Sequence, residues 1–209
     1  MNQSTSPAAA AATAATSRAG STPTAGAQVG SAVRRLREHA GLSLSEVARR
    51  SGVGKATLSR LEAGERNPTL DTLFAITTAL QVPLGTLLEA SGQRRTSGTA
   101  VDALLLDRHS TANWVAETYR LAIRPVRQLS NAHLNGTTET LVVVDGRVRT
   151  GPVADPIELE AGQSASFRAD TPHLYQGIGT TATCLLVMIS ATAPARRPHT
   201  VHEPFSQRC

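Results

Sequence analysis

The stretch Leu44 to Ala63, LSEVARRSGVGKATLSRLEA, decides the reading of the N-terminal half. Ala48, Gly52, Leu58 and Leu61 stand where two short helices crossing at a sharp turn require them. A small residue lets the helices approach, a glycine takes positive φ at the turn, and two leucines face inward. The second helix then keeps an outer face free, and a free helix of this kind fits the major groove of duplex DNA.

Outward from this stretch, helical periodicity begins near Val29 and runs to about Glu89. Ser31 to His39 is expected as helix one, with Val33 and Leu36 on its buried side. Ser43, with Glu46 three residues later, makes a capping box that opens helix two, which ends near Ser51. Helix three covers Lys55 to Ala63 and stops at Gly64. Asn67-Pro68 turns the chain, and Thr69 caps helix four, with Leu70, Leu73, Phe74, Ile76 and Leu80 expected to point inward. Pro83 is placed as the first residue of a short helix five carrying Leu87 and Leu88. Residues 28–90 thus read as a five-helix bundle.

The flanking composition sets the other boundaries. Residues 1–27 are almost entirely Ala, Ser, Thr, Gly and Pro, have little to bury, and are expected to be a disordered tail. Ser91 to Thr99, SGQRRTSGT, reads as a polar linker. From Val101 the period changes to two, and residues 100–192 read as an all-β domain. TLVVVDGRVRT, Thr140 to Thr150, reads as a strand, an Asp145-Gly146 hairpin signal and a returning strand. IELEAGQSASFRA and ATCLLVMIS continue the short-strand pattern, and residues 193–209 form a C-terminal tail without pattern.

The net charge of +5 is modest and uneven. Residues 28–90 carry eight basic and six acidic side chains, whereas residues 100–192 carry seven basic and nine acidic. A basic excess favours phosphate binding, but this one is too small to establish it. Lys55 is the sole lysine among arginines. Two cysteines, Cys184 in an apolar run and Cys209 at the end, argue against a disulfide framework and for a reducing compartment. There is no apolar run of transmembrane length, and the N-terminus lacks the basic start and leucine-rich core of a secretory signal, so a cytoplasmic, nucleoid-associated location is expected.

The run RRLREHAGLSLSEVARRSGVGKATLSRLEAGERNPTLDTLFAITTAL resembles the Cro/repressor-type (XRE-like) helix-turn-helix family over roughly Ala32 to Leu88. The resemblance implies that Lys55, Ala56, Thr57, Ser59 and Arg60 open the recognition helix and meet base edges. Arg60 would offer a bidentate guanidinium to a guanine, Lys55 would reach a guanine or a phosphate, and Ala56 with the Thr57 methyl would touch a thymine methyl. Arg66 and Asn67 become candidates for phosphate contact, and Leu44 and Ser45 open the preceding helix at the DNA surface. Two positions depart from the pattern. Leu44 stands where many relatives have glutamine, and Gly54 replaces the usual Ser or Thr cap.

The second half resembles a small cupin barrel (double-stranded β-helix, or jelly roll) over about Leu104 to Ser190. The motifs are NAHLNGTTETLVVVDG and GQSASFRADTPHLYQG. The resemblance maps the four cupin ligand positions onto Asn131, His133, Glu139 and His173, with Gly146 and Gly162 at turns. Asn131 replaces a histidine, Gly177 replaces a usual asparagine, and one extra residue separates His133 from Glu139. His133, Glu139 and His173 suit a divalent metal, or else a metal-free pocket in which they bind a small effector together with Asn131. Trp114, Tyr119, Phe167 and Tyr175 read as barrel core or rim in preference to a stacking box for a ligand, and Arg124 and Arg127 near the entrance as surface residues or as partners for an anionic effector.

The fold class is therefore multidomain α + β, a helix-turn-helix bundle followed by a cupin barrel. The expected function is a non-enzymatic, sequence-specific transcriptional regulator. Its expected partners are a double-stranded DNA operator, a small-molecule effector and a second copy of the chain. The main alternative is a metal-dependent cupin enzyme, a dioxygenase or isomerase, tethered to DNA. A third is an antitoxin or phage-type repressor that merely dimerises through its barrel.

Overall fold

A computed structural model describes residues 24–191. The expected tails, residues 1–27 but for its last four and residues 193–209, lie outside the described residues.

Thr24 starts the first helix, α1 (Ala25–His39), by accepting the Ala27 amide on its hydroxyl. The helix thus begins six residues before the expected Ser31, inside the segment assigned to the tail. Gly26, within that segment, and Gly30, four residues on, are contact points. A Cβ on Gly30 would lie 2.1 Å from the Leu61 carbonyl oxygen, and one on Gly26 would lie 2.2 Å from Asn67 Oδ1. Glycine here allows α1 to rest on backbone.

Ser43 opens α2 (Leu44–Ser51) by accepting the Glu46 amide, while the Glu46 carboxylate turns to Arg49 and Arg50 instead of back to Ser43. Only half of the expected capping box forms, because two guanidiniums outcompete one amide for that carboxylate. Gly52 ends α2 with φ 70° and makes the expected turn into α3 (Lys55–Glu62). Thr69 caps α4 (Leu70–Leu80) through the Thr72 amide, and Pro83 is the cap, not the first residue, of α5 (Leu84–Ala90). Val33, Val47, Leu58, Leu61, Leu73, Ile76 and Leu87 meet in the bundle core. Arg37 grips the Glu62 carboxylate with two nitrogens at 2.7 and 2.9 Å, fixing α1 to α3.

Ten strands follow. They are β1 (Arg95–Ser97), β2 (Val101–Ser110), β3 (Trp114–Ile123), β4 (Gln128–Ser130), β5 (Thr138–Asp145), β6 (Arg147–Pro152), β7 (Ile157–Glu160), β8 (Ser164–Arg168), β9 (His173–Gly177) and β10 (Ala182–Ala191). They form two antiparallel sheets, ordered β1-β2-β3-β10-β5-β8 and β4-β9-β6-β7, which face each other as a jelly roll.

Two expectations are corrected. Asp145-Gly146 does not close a hairpin: β5 and β6 belong to different sheets, so the chain turns a corner there. Gly146, at φ 83°, passes so close to Ala182 that a Cβ would lie 3.0 Å from its methyl, which ties the corner to the start of β10. The 91–99 segment is not a flexible linker either. Arg95, Thr96 and Ser97 pair with Leu104, Ala103 and Asp102, making the chain's exit from the bundle an edge strand of the barrel. Edge strands carry charged and polar residues for solubility, which gives them linker-like composition.

The bundle sits directly on the barrel, and the buried apolar cluster runs through both. At the junction the Gly85 amide donates to Glu117 Oε1 at 2.9 Å, and the Tyr119 hydroxyl donates to Glu117 Oε2 at 2.7 Å. Arg108 stands 3.5 Å from the same carboxylate and bonds Thr86 and Glu89 on α5. Burial pushes the Glu117 carboxyl up, a shift limited by these donors. Gln128 makes a second tie, accepting the Ala100 and Val101 amides while donating to Asp71 on α4 at 3.0 Å.

Gly30→Ala is expected to force α1 off the Leu61 carbonyl and to destabilise the protein by about 1–3 kcal/mol. Urea unfolding of the two proteins measures the difference.

Candidate functional site

α3 displays its chemistry on one side. Leu58 and Leu61 are fully buried, while Lys55, Ala56, Ser59 and Arg60 are exposed and Thr57 is half-buried. Arg66 and Asn67, in the turn after α3, are exposed as well. That face is open to solvent, as groove entry requires. Arg60 is held only by Glu65 at 3.4 Å, across a largely exposed pair that a phosphate or base edge can displace. Arg49 and Arg50 differ: both are committed to Glu46, and the hydrogen bond from Arg49, followed by that from Arg50, lowers its carboxyl to about 2. Of the two residues opening α2, Ser45 is exposed, whereas Leu44 is half-buried and packs against the core.

The second site lies inside the barrel. His173 begins β9, Glu139 sits on β5 and His133 on the segment between β4 and β5; all three are buried. One ligand atom from each lies within 4.8 Å of the others. His133 Nε2 is 3.1 Å from Glu139 Oε1, and His173 Nε2 is 3.8 Å from Glu139 Oε2. The Tyr175 hydroxyl donates a short hydrogen bond to Glu139 Oε2.

The fourth expected position is not in this group. Along β4 the chain alternates with Gln128 and Ser130 buried and Leu129 exposed, so Asn131 falls on the outward beat and is exposed. Gln128 and Ser130 line the cavity in its place.

Electrostatics follows from this packing. Burial opposes the Glu139 charge, yet the His133 hydrogen bond and the neighbouring imidazoles outweigh it and hold the carboxyl below its usual value. His173 is lowered, by burial first, so its neutral form is favoured. Its Nδ1 faces the Thr171 carbonyl at 2.9 Å. A carbonyl only accepts, so Nδ1 carries the proton and the Nε2 lone pair is left free. His173 Nε2 and His133 Nδ1 are buried without a hydrogen-bond partner among the described residues. A backbone carbonyl that fixes the imidazole tautomer, with the opposite nitrogen free beside a carboxylate, is the arrangement of a metal ligand. The donor set therefore fits a divalent cation, held through His133, Glu139 and His173.

The cavity onto which these groups open is shared between the two halves. Leu70, Phe74 and Leu84 wall it from α4 and α5; Val101, Tyr119, Leu121, Leu186 and Met188 wall it from the barrel. Its free volume is about 20 Å³, room for roughly one water. Phe74 lies over His133 with ring centroids 4.0 Å apart and planes at 17°. Sequence reasoning placed Phe74 in the bundle core and did not assign it to this site. One signal was available: it is the single Phe, Tyr or Trp between residues 28 and 90.

The other aromatics divide. Tyr119 and Tyr175 are buried at the cavity, Phe167 is 5.8 Å from the His173 ring, and Trp114 is exposed on the outer face. Arg124 bonds Asp102 and the Gly98 and Thr99 carbonyls, a structural role, while Arg127 is exposed. Cys184 is a buried free thiol whose burial pushes it up to about 12.

Comparison with known proteins bears on the helical half and on the overall fold. The HTH_3 helix-turn-helix family matches residues 33–87. The chain is 29% identical to the HTH-type transcriptional regulator SutR of Escherichia coli over 153 residues, covering 70% of this chain and 85% of that protein. It is 31% identical to the transcriptional regulator ClgR of Mycobacterium tuberculosis over 104 residues, covering 50% of this chain and 93% of ClgR. A crystal structure of an HTH_3 family transcriptional regulator from Vibrio cholerae superposes with a TM-score of 0.71 at 25% identity, covering 79% of this chain and 96% of that one. The chain belongs to the helix-turn-helix (HTH_3, XRE-like) family, as a DNA-binding transcriptional regulator whose second domain is a two-sheet jelly roll.

Proposed function

We propose that this regulator is a sensor: its bundle reads an operator as a homodimer, and its barrel binds a small effector at His133, Glu139 and His173, with a divalent cation held by those three. The observation that carries the reading is the group of three buried donors, two of them bearing unpartnered ring nitrogens, in a cavity walled by both halves. Orphaned buried polar atoms cost about 1–3 kcal/mol each, a cost that a bound ligand would remove. When bound, a cation would supply a positive charge and open positions for an oxygen-bearing ligand. His173 would keep its orientation through Thr171, and Tyr175 would hold Glu139. The site is then a receptor, and no reaction is assigned to it; turnover of a metabolite by metal-loaded protein would favour the enzyme reading instead.

In this reading Lys55, Ala56, Thr57, Ser59 and Arg60 address base edges, while Ser45, Arg66 and Asn67 address the backbone. One eight-residue helix buries too little for useful specificity, and two of them span half-sites about 34 Å apart. The outer face of the six-stranded sheet suits a second copy: Trp114, Val144, Leu185 and Ile189 are exposed apolar residues on it. A regulator of this kind works beside the nucleoid in the cytoplasm.

Selection from a random duplex library is expected to return a two-fold symmetric operator. Arg60→Ala should then weaken binding to it by about 1–3 kcal/mol and relax one base position; an equal loss on scrambled DNA would make Arg60 a phosphate contact. Metal analysis tests the barrel: gently purified protein should retain a divalent cation near stoichiometry, and His173→Ala should lower metal affinity about tenfold or more. Metal-free protein that takes up no added cation would leave only the hydrogen-bonding pocket.

A further inference from the structure

We infer that Phe74, a residue of the DNA-binding half, is the closing wall of the barrel's ligand site, and that occupation of the site is transmitted to the DNA-reading helix through it. The inference rests on the metal-site reading above and goes beyond it by naming the route of regulation.

Three observations converge on Phe74. Its ring is stacked face to face on His133, at 4.0 Å and 17°, so a metal ligand and the helical half share a contact surface. It bounds the cavity beside His133 and Glu139, together with Leu70 of the same helix and Leu84. That cavity admits about one water, so a cation carrying more than one water or oxygen ligand overfills it while the ring stays in place.

The ring cannot yield without consequence for α4. One side of α4 is fastened to the barrel through Phe74 and through the Asp71–Gln128 hydrogen bond. Its other side carries Leu73, Ile76 and Leu80 into the bundle core, where α4 packs on α2 and α2 in turn packs on the recognition helix, whose Leu58 and Leu61 are fully buried. Close-packed interiors transmit such a shift as a rigid displacement. Movement of His133 toward a cation, or of Phe74 away from its ligands, therefore changes how α3 is presented, and in a dimer it changes the spacing of two such helices.

The test uses the full-length protein, Co(II) as the probe, and the selected operator fragment. Co(II) binding is read from its visible absorption and operator affinity from a gel-shift titration, for the wild type, Phe74→Ala and Phe74→Leu. Co(II) is expected to change wild-type operator affinity about fivefold or more. Both variants should still bind Co(II), since all three donors remain, while their operator affinity with and without Co(II) should agree within about twofold, below the coupling expected for linked sites. Phe74→Leu retains apolar bulk, so it keeps the test valid if the alanine variant fails to fold. Co(II) bound by all three proteins with equal dependence, or equal indifference, of operator affinity would overturn the inference alone. Absence of Co(II) binding in the wild type would overturn the metal reading, and this inference with it.

Discussion

Helix α4 has to satisfy two interiors at once, and the arrangement of the whole molecule depends on its doing so. Leu73, Ile76 and Leu80 complete the bundle core, while Leu70 and Phe74 reach the cavity of the barrel. Sliding the bundle over the barrel would uncover these apolar residues and also strand polar ones. Gln128 would lose Asp71, and Glu117 would lose the Gly85 amide. An unpartnered buried polar group costs about 1–3 kcal/mol, comparable to the burial of a large side chain. Helices α4 and α5 are consequently held in one pose on the barrel by contacts that lie outside the bundle core.

The DNA-reading half was legible because its signals are local. The spacing of Leu58 and Leu61, a glycine at φ 70° between helices, and side-chain caps at Ser43 and Thr69 all act within a few residues. Misreadings arose where a residue's role depends on distant chain. Gly26 looks like tail composition until Asn67 is known to lie against it. Asp145-Gly146 looks like a hairpin because the local turn is the same whether the next strand returns or crosses to another sheet. Arg95 to Ser97 looks like a linker because an edge strand needs solubility on the same residues that pair.

The barrel site was legible in part, for the same reason. His133, Glu139 and His173 were found from motif positions, and β5, the start of β9 and the segment between β4 and β5 bring them to one point. Asn131 was carried over by position, but the alternation of β4 turns it outward and gives its place to Gln128 and Ser130. Phe74 was assigned to the bundle because helical periodicity identifies which residues are apolar, not which of two apolar surroundings each one meets. The contact that joins the two halves was therefore the least visible of all.

Lys55 opens the recognition helix, fully accessible, and every other basic side chain in the 209 residues is arginine or histidine. In the function proposed above, a single side-chain amine thus marks the surface that meets duplex. Amine-directed dyes, crosslinkers or acylating metabolites would concentrate their side-chain chemistry at that one point, where neutralising the ammonium removes a positive charge from the interface. The arginine bias of the sequence, unremarkable in itself, leaves the operator-facing helix as the chain's one nucleophilic lysine address.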